Sequence, residues 1–137
     1  MSLQCCSVGK EPKKAIISCD GACLEGEIAR GAANMLARKL ENLATRICLG
    51  NAVTVKNSGA LENIIRATKV ILVEGCSLKC GTNILKQKLP DLQAIIVDAS
   101  KFYSCDHNKY FNVYDLPREK IDEYSANVVK HIEESFL

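Results

Sequence analysis

The stretch Lys69-Val70-Ile71-Leu72-Val73-Glu74-Gly75-Cys76-Ser77-Leu78-Lys79-Cys80 joins two different hydrophobic patterns. Residues 69–73 form a short β-branched apolar run, which is typical of a strand inside a parallel sheet with both faces covered. After Gly75, apolar residues recur at helical spacing until Pro90, namely Ile84, Leu85 and Leu89. The stretch therefore predicts a buried strand that turns into a helix, with one cysteine in the turn and another in the first helical turn.

The two cysteines at this turn point to thiolate chemistry. The first turn of a helix has unpaired amide groups and the positive end of the helix dipole, and both favour a thiolate at Cys80. A thiolate is a nucleophile and also a metal ligand. Because Cys76 and Cys80 are four positions apart across the turn, their sulfurs can converge on one point. The other interpretation is that both cysteines are small core hydrophobes.

Strand patterns alternate with helix patterns along the chain. We predict strands at 15–19, 46–50, 69–73 and 94–98, with an optional edge strand at 111–116. Because parallel strands need right-handed crossovers, this alternation predicts an α/β three-layer sandwich with helices on both faces of the sheet. The expected architecture is Rossmann/flavodoxin-like, with a mainly parallel sheet of four to five strands in the common order 2-1-3-4.

The length of the chain suits one domain. It has 137 residues, of which 47% are hydrophobic and 25% are charged, so it can build its own core. Residues 1–14 are polar, rich in lysine and contain Pro12, and we predict that they form a flexible N-terminal lead. Residues 15–137 are predicted to form a single α/β metal-binding domain.

The charge distribution argues against nucleic-acid and membrane partners. The net charge is only +2, and no basic stripe is present. All seven aromatic residues lie beyond position 100, without the interleaved basic residues of a base-stacking platform. No apolar run approaches the ~20 residues of a membrane span, and the start of the chain lacks the apolar segment of a secretory signal. We therefore expect a cytoplasmic protein.

The number and clustering of the cysteines indicate the class of function. Eight cysteines in 137 residues stay below the roughly 8–10% that marks a disulfide scaffold. In a reducing compartment, clustered cysteines more often bind metal or carry out chemistry. The sequence therefore predicts a metal ion as the principal partner.

Three cysteines stand at the carboxyl ends of predicted strands and one lies in the first turn of a predicted helix: Cys19, Cys48, Cys76 and Cys80. Binding sites in parallel α/β sheets lie beyond the carboxyl ends of the strands, and neighbouring strands are about 4.8 Å apart. Sulfurs bound to one tetrahedral zinc are roughly 3.8 Å from one another, so modest leaning of the side chains would bring this set onto a single ion. We predict that these four cysteines bind zinc.

The remaining cysteines fall outside that set. Cys23 follows Cys19 with the same spacing as Cys80 follows Cys76, and each pair has a glycine close by. Cys5 and Cys6 are adjacent on the N-terminal lead, and we interpret them as spare thiols. Cys105 and His107 share a polar loop after the fourth strand. In one interpretation they are surface residues, and in the other they supply a metal ligand or form a lid.

These residues resemble the DGC-domain family of small zinc-binding proteins. The resemblance covers most of the chain, including Ser18-Cys19, Gly26-Glu27-Ile28-Ala29, Ile47-Cys48-Leu49 and Gly75-Cys76-Ser77-Leu78-Lys79-Cys80. It implies that the four recurrent cysteines of the family correspond to the set predicted above and hold zinc. Cys23 is then an extra residue. The family is named after an Asp-Gly-Cys motif, and Glu74 stands in place of its aspartate. Glutamate keeps the negative charge on a longer side chain, which weakens a role as hydrogen-bond acceptor for the metal ligands.

Other functions remain open from the sequence alone. A thiol redox or sulfur-transfer enzyme would use Cys80 or Cys76 as nucleophile, with Cys23 resolving a disulfide. The C-x-x-x-C spacing differs from the C-x-x-C of thioredoxin-like centres. An iron–sulfur cluster also takes four thiolates, but the ferredoxin spacing is missing. A nucleotide-binding enzyme would need a G-x-G-x-x-G or P-loop motif, and the chain has neither.

Overall fold

Four short strands form one parallel sheet in the computed structural model, which describes residues 7–9 and 11–137. The strands are Lys14–Ser18 (β1), Ala44–Arg46 (β2), Lys69–Glu74 (β3) and Ile95–Asp98 (β4). Every pair of neighbouring strands is parallel, and the order across the sheet is β2-β1-β3-β4. The predicted strand order and direction are confirmed.

Helices cover both faces of this sheet, which confirms the three-layer α/β class. One face carries the helices Leu24–Leu40 (α1) and Arg118–Phe136 (α5), and the other carries Leu49–Thr54 (α2), Gly59–Arg66 (α3) and Cys80–Leu85 (α4). Two short 3₁₀ helices complete the elements, at Glu41–Leu43 and Ala99–Phe102. Side chains of β1 and β3 alternate between the two layers, with Ile16 and Ile71 facing α1 while Ile17 and Leu72 enter the opposite core.

The strand order creates a switch point between β1 and β3. The chain runs from β1 outward to β2 and then returns to the other side of β1 to form β3. In sheets of this kind the crossovers leave the switch point in opposite directions, which opens a crevice beyond the carboxyl ends of the two central strands. The loops that border this crevice are the β1–α1 loop, residues 19–23, and the β3–α4 loop, residues 75–79.

Two local expectations differ from the structure. The second strand ends at Arg46 instead of continuing to residue 50, because Leu49 and Ala52 bury their side chains at helical spacing in the short helix α2. The optional edge strand at 111–116 is replaced by turns and an isolated bridge. Asp115 accounts for this turn, since its carboxylate accepts hydrogen bonds from the amides of Phe111 and Asn112 at 2.8 and 2.7 Å.

The start of the described chain lies against α3. Oδ1 of Asn63 accepts a hydrogen bond from the Gly9 amide at 3.1 Å, and the amide nitrogen of the same side chain donates to the Ser7 carbonyl at 2.8 Å. Cys5 and Cys6 lie outside the described residues, and the predicted boundary between residues 14 and 15 stays a prediction. Within residues 7–9 and 11–137, no helix is both long and apolar enough to cross a membrane.

Glycine at position 26 allows α1 to pack directly on the β1–α1 loop, and this contact is testable. A Cβ added to Gly26 would overlap the carbonyl group of Gly21, whereas a Cβ on Gly50 would meet nothing within 4 Å. Gly26→Ala should therefore lower the free energy of unfolding by about 1–3 kcal/mol, as overpacked cores do. The helical control Gly50→Ala should be neutral or up to about 1 kcal/mol stabilising.

Urea denaturation of the two metal-free variants beside the parent protein measures this difference. Equal shifts in the two unfolding midpoints would contradict the proposed backbone contact.

Candidate metal centre

Each loop of the switch-point crevice supplies two cysteines. Cys19 directly follows β1 and Cys23 precedes the first residue of α1, while Cys76 follows β3 by two residues and Cys80 is the first residue of α4. All four thiols are free, with Cys19 buried, Cys23 and Cys76 half-buried and Cys80 exposed. The two loops therefore present the same arrangement, with one sulfur near the strand end and one at the helix start.

The two loops touch through their backbones. The Gly75 amide donates a hydrogen bond to the Cys19 sulfur at 3.2 Å. A Cβ on Gly75 would lie 2.9 Å from the carbonyl oxygen of Glu25, and a Cβ on Gly81 would lie 3.3 Å from the Cys19 Cα. Side chains at these two positions would push the loops apart, so glycine is needed to keep the cysteines of one loop beside those of the other.

Cys19 and Cys23 flank one point in space. The position that a Cβ on Gly21 would occupy lies 3.7 Å from the Cys23 sulfur and 3.8 Å from the Cys19 sulfur. Both sulfurs therefore face the same small volume above the end of β1. The charge of Cys23 also contributes to the raised pKa of both Cys19 and Cys76, which places Cys23 in electrostatic range of both loops.

Burial and nearby negative charge raise the pKa of the Cys19 and Cys76 thiols. Burial raises the pKa of Cys19, the amides of Gly21 and Gly75 lower it, and the negative charge of Glu74 raises it again. The pKa of Cys76 is also raised mainly by burial, against a hydrogen bond from the Leu78 amide that lowers it. In both cases an amide two residues later faces the sulfur, so each thiolate has a hydrogen-bond donor if a bound cation replaces its proton.

Glu74 holds the start of α4 in place. Its buried carboxylate accepts hydrogen bonds from the Gly81 amide at 3.1 Å, the Thr82 amide at 2.8 Å and the Thr82 hydroxyl at 2.7 Å. Two of the first-turn amides that were expected to favour a thiolate at Cys80 donate to this carboxylate instead. The Glu74 side chain thus binds the start of α4. It thereby fixes the position of Cys80, the first residue of this helix.

Cys48 lies apart from the other three predicted ligands. It precedes the first residue of α2, and its side chain is exposed. The register places Arg46, the last residue of β2, level with Ile71; Cys48 follows Arg46 by two residues, whereas Cys76 follows Ile71 by five. Two strand spacings, about 10 Å, add a lateral separation. The structure therefore brings together the loops of Cys19, Cys76 and Cys80 from the predicted set. Cys23 lies on one of these loops, and the repeated C-x-x-x-C spacing was the signal for it in the sequence.

Arg46 is held in the sheet instead of extending into solvent. Its guanidinium donates to Asn34 Oδ1 at 2.9 Å, to the Ile47 carbonyl at 3.0 Å and to Ser18 Oγ at 2.7 Å. Burial lowers the pKa of this group, and the charge of Asp20 is the largest one that opposes this effect. The guanidinium therefore lies beside Ser18, the last residue of β1.

The loop after β4 covers the start of α1. Nδ1 of His107 lies 3.0 Å from Oε1 of Glu25, and the Leu24 amide donates to the Phe111 carbonyl at 2.8 Å. The Tyr103 hydroxyl is buried and has no hydrogen-bond partner among the described residues. Burial raises the pKa of Tyr103, with further contributions from Glu25, Cys105 and Cys23. The loop predicted to be surface or lid thus lies against the first turn of α1, directly after Cys23.

Asp98 caps the turn after β4. Its Oδ1 accepts hydrogen bonds from the Ser100 amide at 3.1 Å and from the Ser100 hydroxyl at 2.6 Å. This carboxylate therefore has a local structural role.

The donor chemistry of the crevice fits a thiophilic metal. No three histidine, cysteine or acidic side chains in residues 7–9 and 11–137 already stand in an arrangement that holds a metal ion. The loops that carry the four thiols are nonetheless in contact at Gly75 and Gly81, as described above. Thiolates of this kind suit zinc and iron–sulfur clusters.

A doubly wound α/β protein with paired cysteines at its switch point is the class that this fold and site define. Comparison with known families agrees: the family model of the DGC domain matches residues 15–127. The chain therefore belongs to the DGC domain family, which confirms the resemblance seen in its sequence. No curated protein and no solved structure shows significant similarity to it.

The anchoring role of Glu74 predicts a large effect of a small substitution. In Glu74→Gln one carboxylate oxygen becomes an NH₂ group that faces backbone donors, so a buried hydrogen bond is lost. We expect the free energy of unfolding to fall by about 1–3 kcal/mol. Glu62→Gln, in the exposed first turn of α3, is the matched control and should change it by less than about 0.5 kcal/mol.

Thermal and urea unfolding of the metal-free variants provide the measurement. The anchoring role would be disproved if the two variants lost the same small amount of stability.

Proposed function

We propose that the protein binds zinc through cysteine thiolates at the carboxyl edge of its parallel sheet and has a structural or metal-handling role. The observation that carries the proposal is the hydrogen bond from the Gly75 amide to the Cys19 sulfur, because it joins the two cysteine-bearing loops at one place. Cys19, Cys76 and Cys80 are the ligands that the sequence and this contact both favour. Cys48 is the fourth ligand that the sequence predicts.

The electrostatics of the crevice favour a cation there. Burial raises the pKa values of Cys19 and Cys76, and the charges of Glu74 and Glu25 respectively raise them further, so deprotonating these thiols places several negative charges close together. A divalent cation offsets that repulsion, and zinc accepts up to four thiolates in tetrahedral geometry. A site with four thiolates has no open position, which favours a structural or metal-handling role over catalysis.

The thiol-enzyme alternative has weaker support. Its nucleophile, Cys80 or Cys76, needs a lowered pKa, yet burial raises that of Cys76 and the helix amides near Cys80 donate to Glu74. The exposure of Cys80 is the feature that still favours it. We therefore retain zinc binding as the proposal.

The cellular setting and the domain extent form part of the same proposal. Free thiols at six described positions suit a reducing compartment, and we place the protein in the cytoplasm. We assign the metal-binding domain to residues 15–137, with residues 1–14 as a lead.

Elemental analysis of protein purified in reductant without chelator tests this function. We expect about one zinc per chain in the parent protein, as a single four-thiolate site holds one ion. Cys76→Ser and Cys80→Ser should each release the metal, since serine does not replace a thiolate ligand. The double variant Cys5→Ser/Cys6→Ser should keep it.

A thiol count on native and denatured protein accompanies the metal analysis. Full zinc retention in both the Cys76→Ser and the Cys80→Ser variant would refute the assignment.

A further inference from the structure

The sequence and the structure favour different cysteines as the fourth zinc ligand. Building on the zinc site proposed above, we propose that Cys23, and not Cys48, completes it together with Cys19, Cys76 and Cys80. The ligand set then consists of two C-x-x-x-C loops of the same design, one from each side of the switch point.

The topology of the sheet supports this set. Cys19 and Cys23 belong to the loop after β1, and Cys76 and Cys80 belong to the loop after β3. These two strands are neighbours at the centre of the sheet, where the strand order opens a crevice. Cys48 follows β2, an edge strand outside that crevice.

The contacts between the loops favour the same four residues. Cys23 and Cys19 direct their sulfurs to within 4 Å of one point above Gly21. The Cys19 sulfur also accepts the hydrogen bond from Gly75, the residue before Cys76. The Cα of Cys19 lies 3.3 Å from the Cβ position of Gly81, the residue after Cys80. Cys19 is therefore in contact with the chain around each of the other three cysteines.

The backbone of Cys23 is also fixed. Cys23 forms an isolated antiparallel bridge with Asn112, and its carbonyl accepts the hydrogen bond from the Glu27 amide at 3.0 Å.

Cys48 has a different environment. Its side chain is exposed at the start of α2, and its charged neighbour is the guanidinium of Arg46. Reaching the loop after β3 would require it to cross β1, since β2 and β3 are not adjacent. The lateral distance between β2 and β3 is two strand spacings, about 10 Å.

Zinc affinity of two serine variants discriminates between the fourth ligands. Competition with a chromophoric chelator should show that Cys23→Ser weakens zinc binding by more than about 100-fold, beyond the 10–100-fold typical of residues behind the ligands. Cys48→Ser should bind zinc as the parent protein does, and Cys105→Ser, a thiol on the adjoining loop, is a second control. Loss of affinity in Cys48→Ser with none in Cys23→Ser would overturn the inference and leave the zinc proposal intact.

Alkylation of the parent protein gives an independent answer that does not depend on how the variants fold. Cysteines are treated with iodoacetamide with and without bound zinc, and the modified sites are mapped by mass spectrometry. Zinc should slow modification of Cys23 and leave the exposed Cys48 as reactive as before. Protection of Cys48 with no protection of Cys23 would overturn the inference. A parent protein that takes up no zinc at all would instead refute the proposed function itself.

Discussion

Direct backbone contact between the loops after β1 and β3 is the constraint on which the cysteine arrangement depends. Gly75 packs against the backbone of the first turn of α1, Gly26 in that turn packs against Gly21, and Gly81 packs against Cys19. Each contact is closer than a side chain allows, so together they fix the separation of the loops. The thiols gain their proximity from these glycines and from the parallel pairing of the strands below them.

One buried carboxylate adds the second constraint. Glu74 ends β3 and accepts three hydrogen bonds from the start of α4, so the strand and the helix are joined across the β3–α4 loop by more than their peptide connection. This arrangement fixes the turn that carries Cys76 and Cys80. It also places a carboxylate near Cys19, where burial and, to a smaller extent, the charge of Glu74 raise the pKa of the thiol, and a bound cation offsets both effects.

The sequence predicted the parts of the molecule that depend on local patterns. Apolar runs and helical stripes were sufficient for the strands, the parallel order and both helical layers. Cys48 was predicted to lie in a strand, but it precedes a helix. The reason is that Leu49, at the end of an apolar run, buries its side chain as part of α2. The partners of Glu74 could not be read from spacing, since they depend on how a buried side chain turns. Cys23 was visible as a repeat, but proximity of the two loops requires the folded sheet.

The hydrogen bond between Gly75 and Cys19 joins residues that are 56 positions apart in the chain. Either C-x-x-x-C loop alone offers two sulfurs, and both pairs meet only after β1, β2 and β3 have assembled with their crossovers. During synthesis, the first pair is complete long before the second has been made. A tightly held ion would therefore mark chains that have finished assembling the central strands, so metal content in a preparation would count correctly folded molecules.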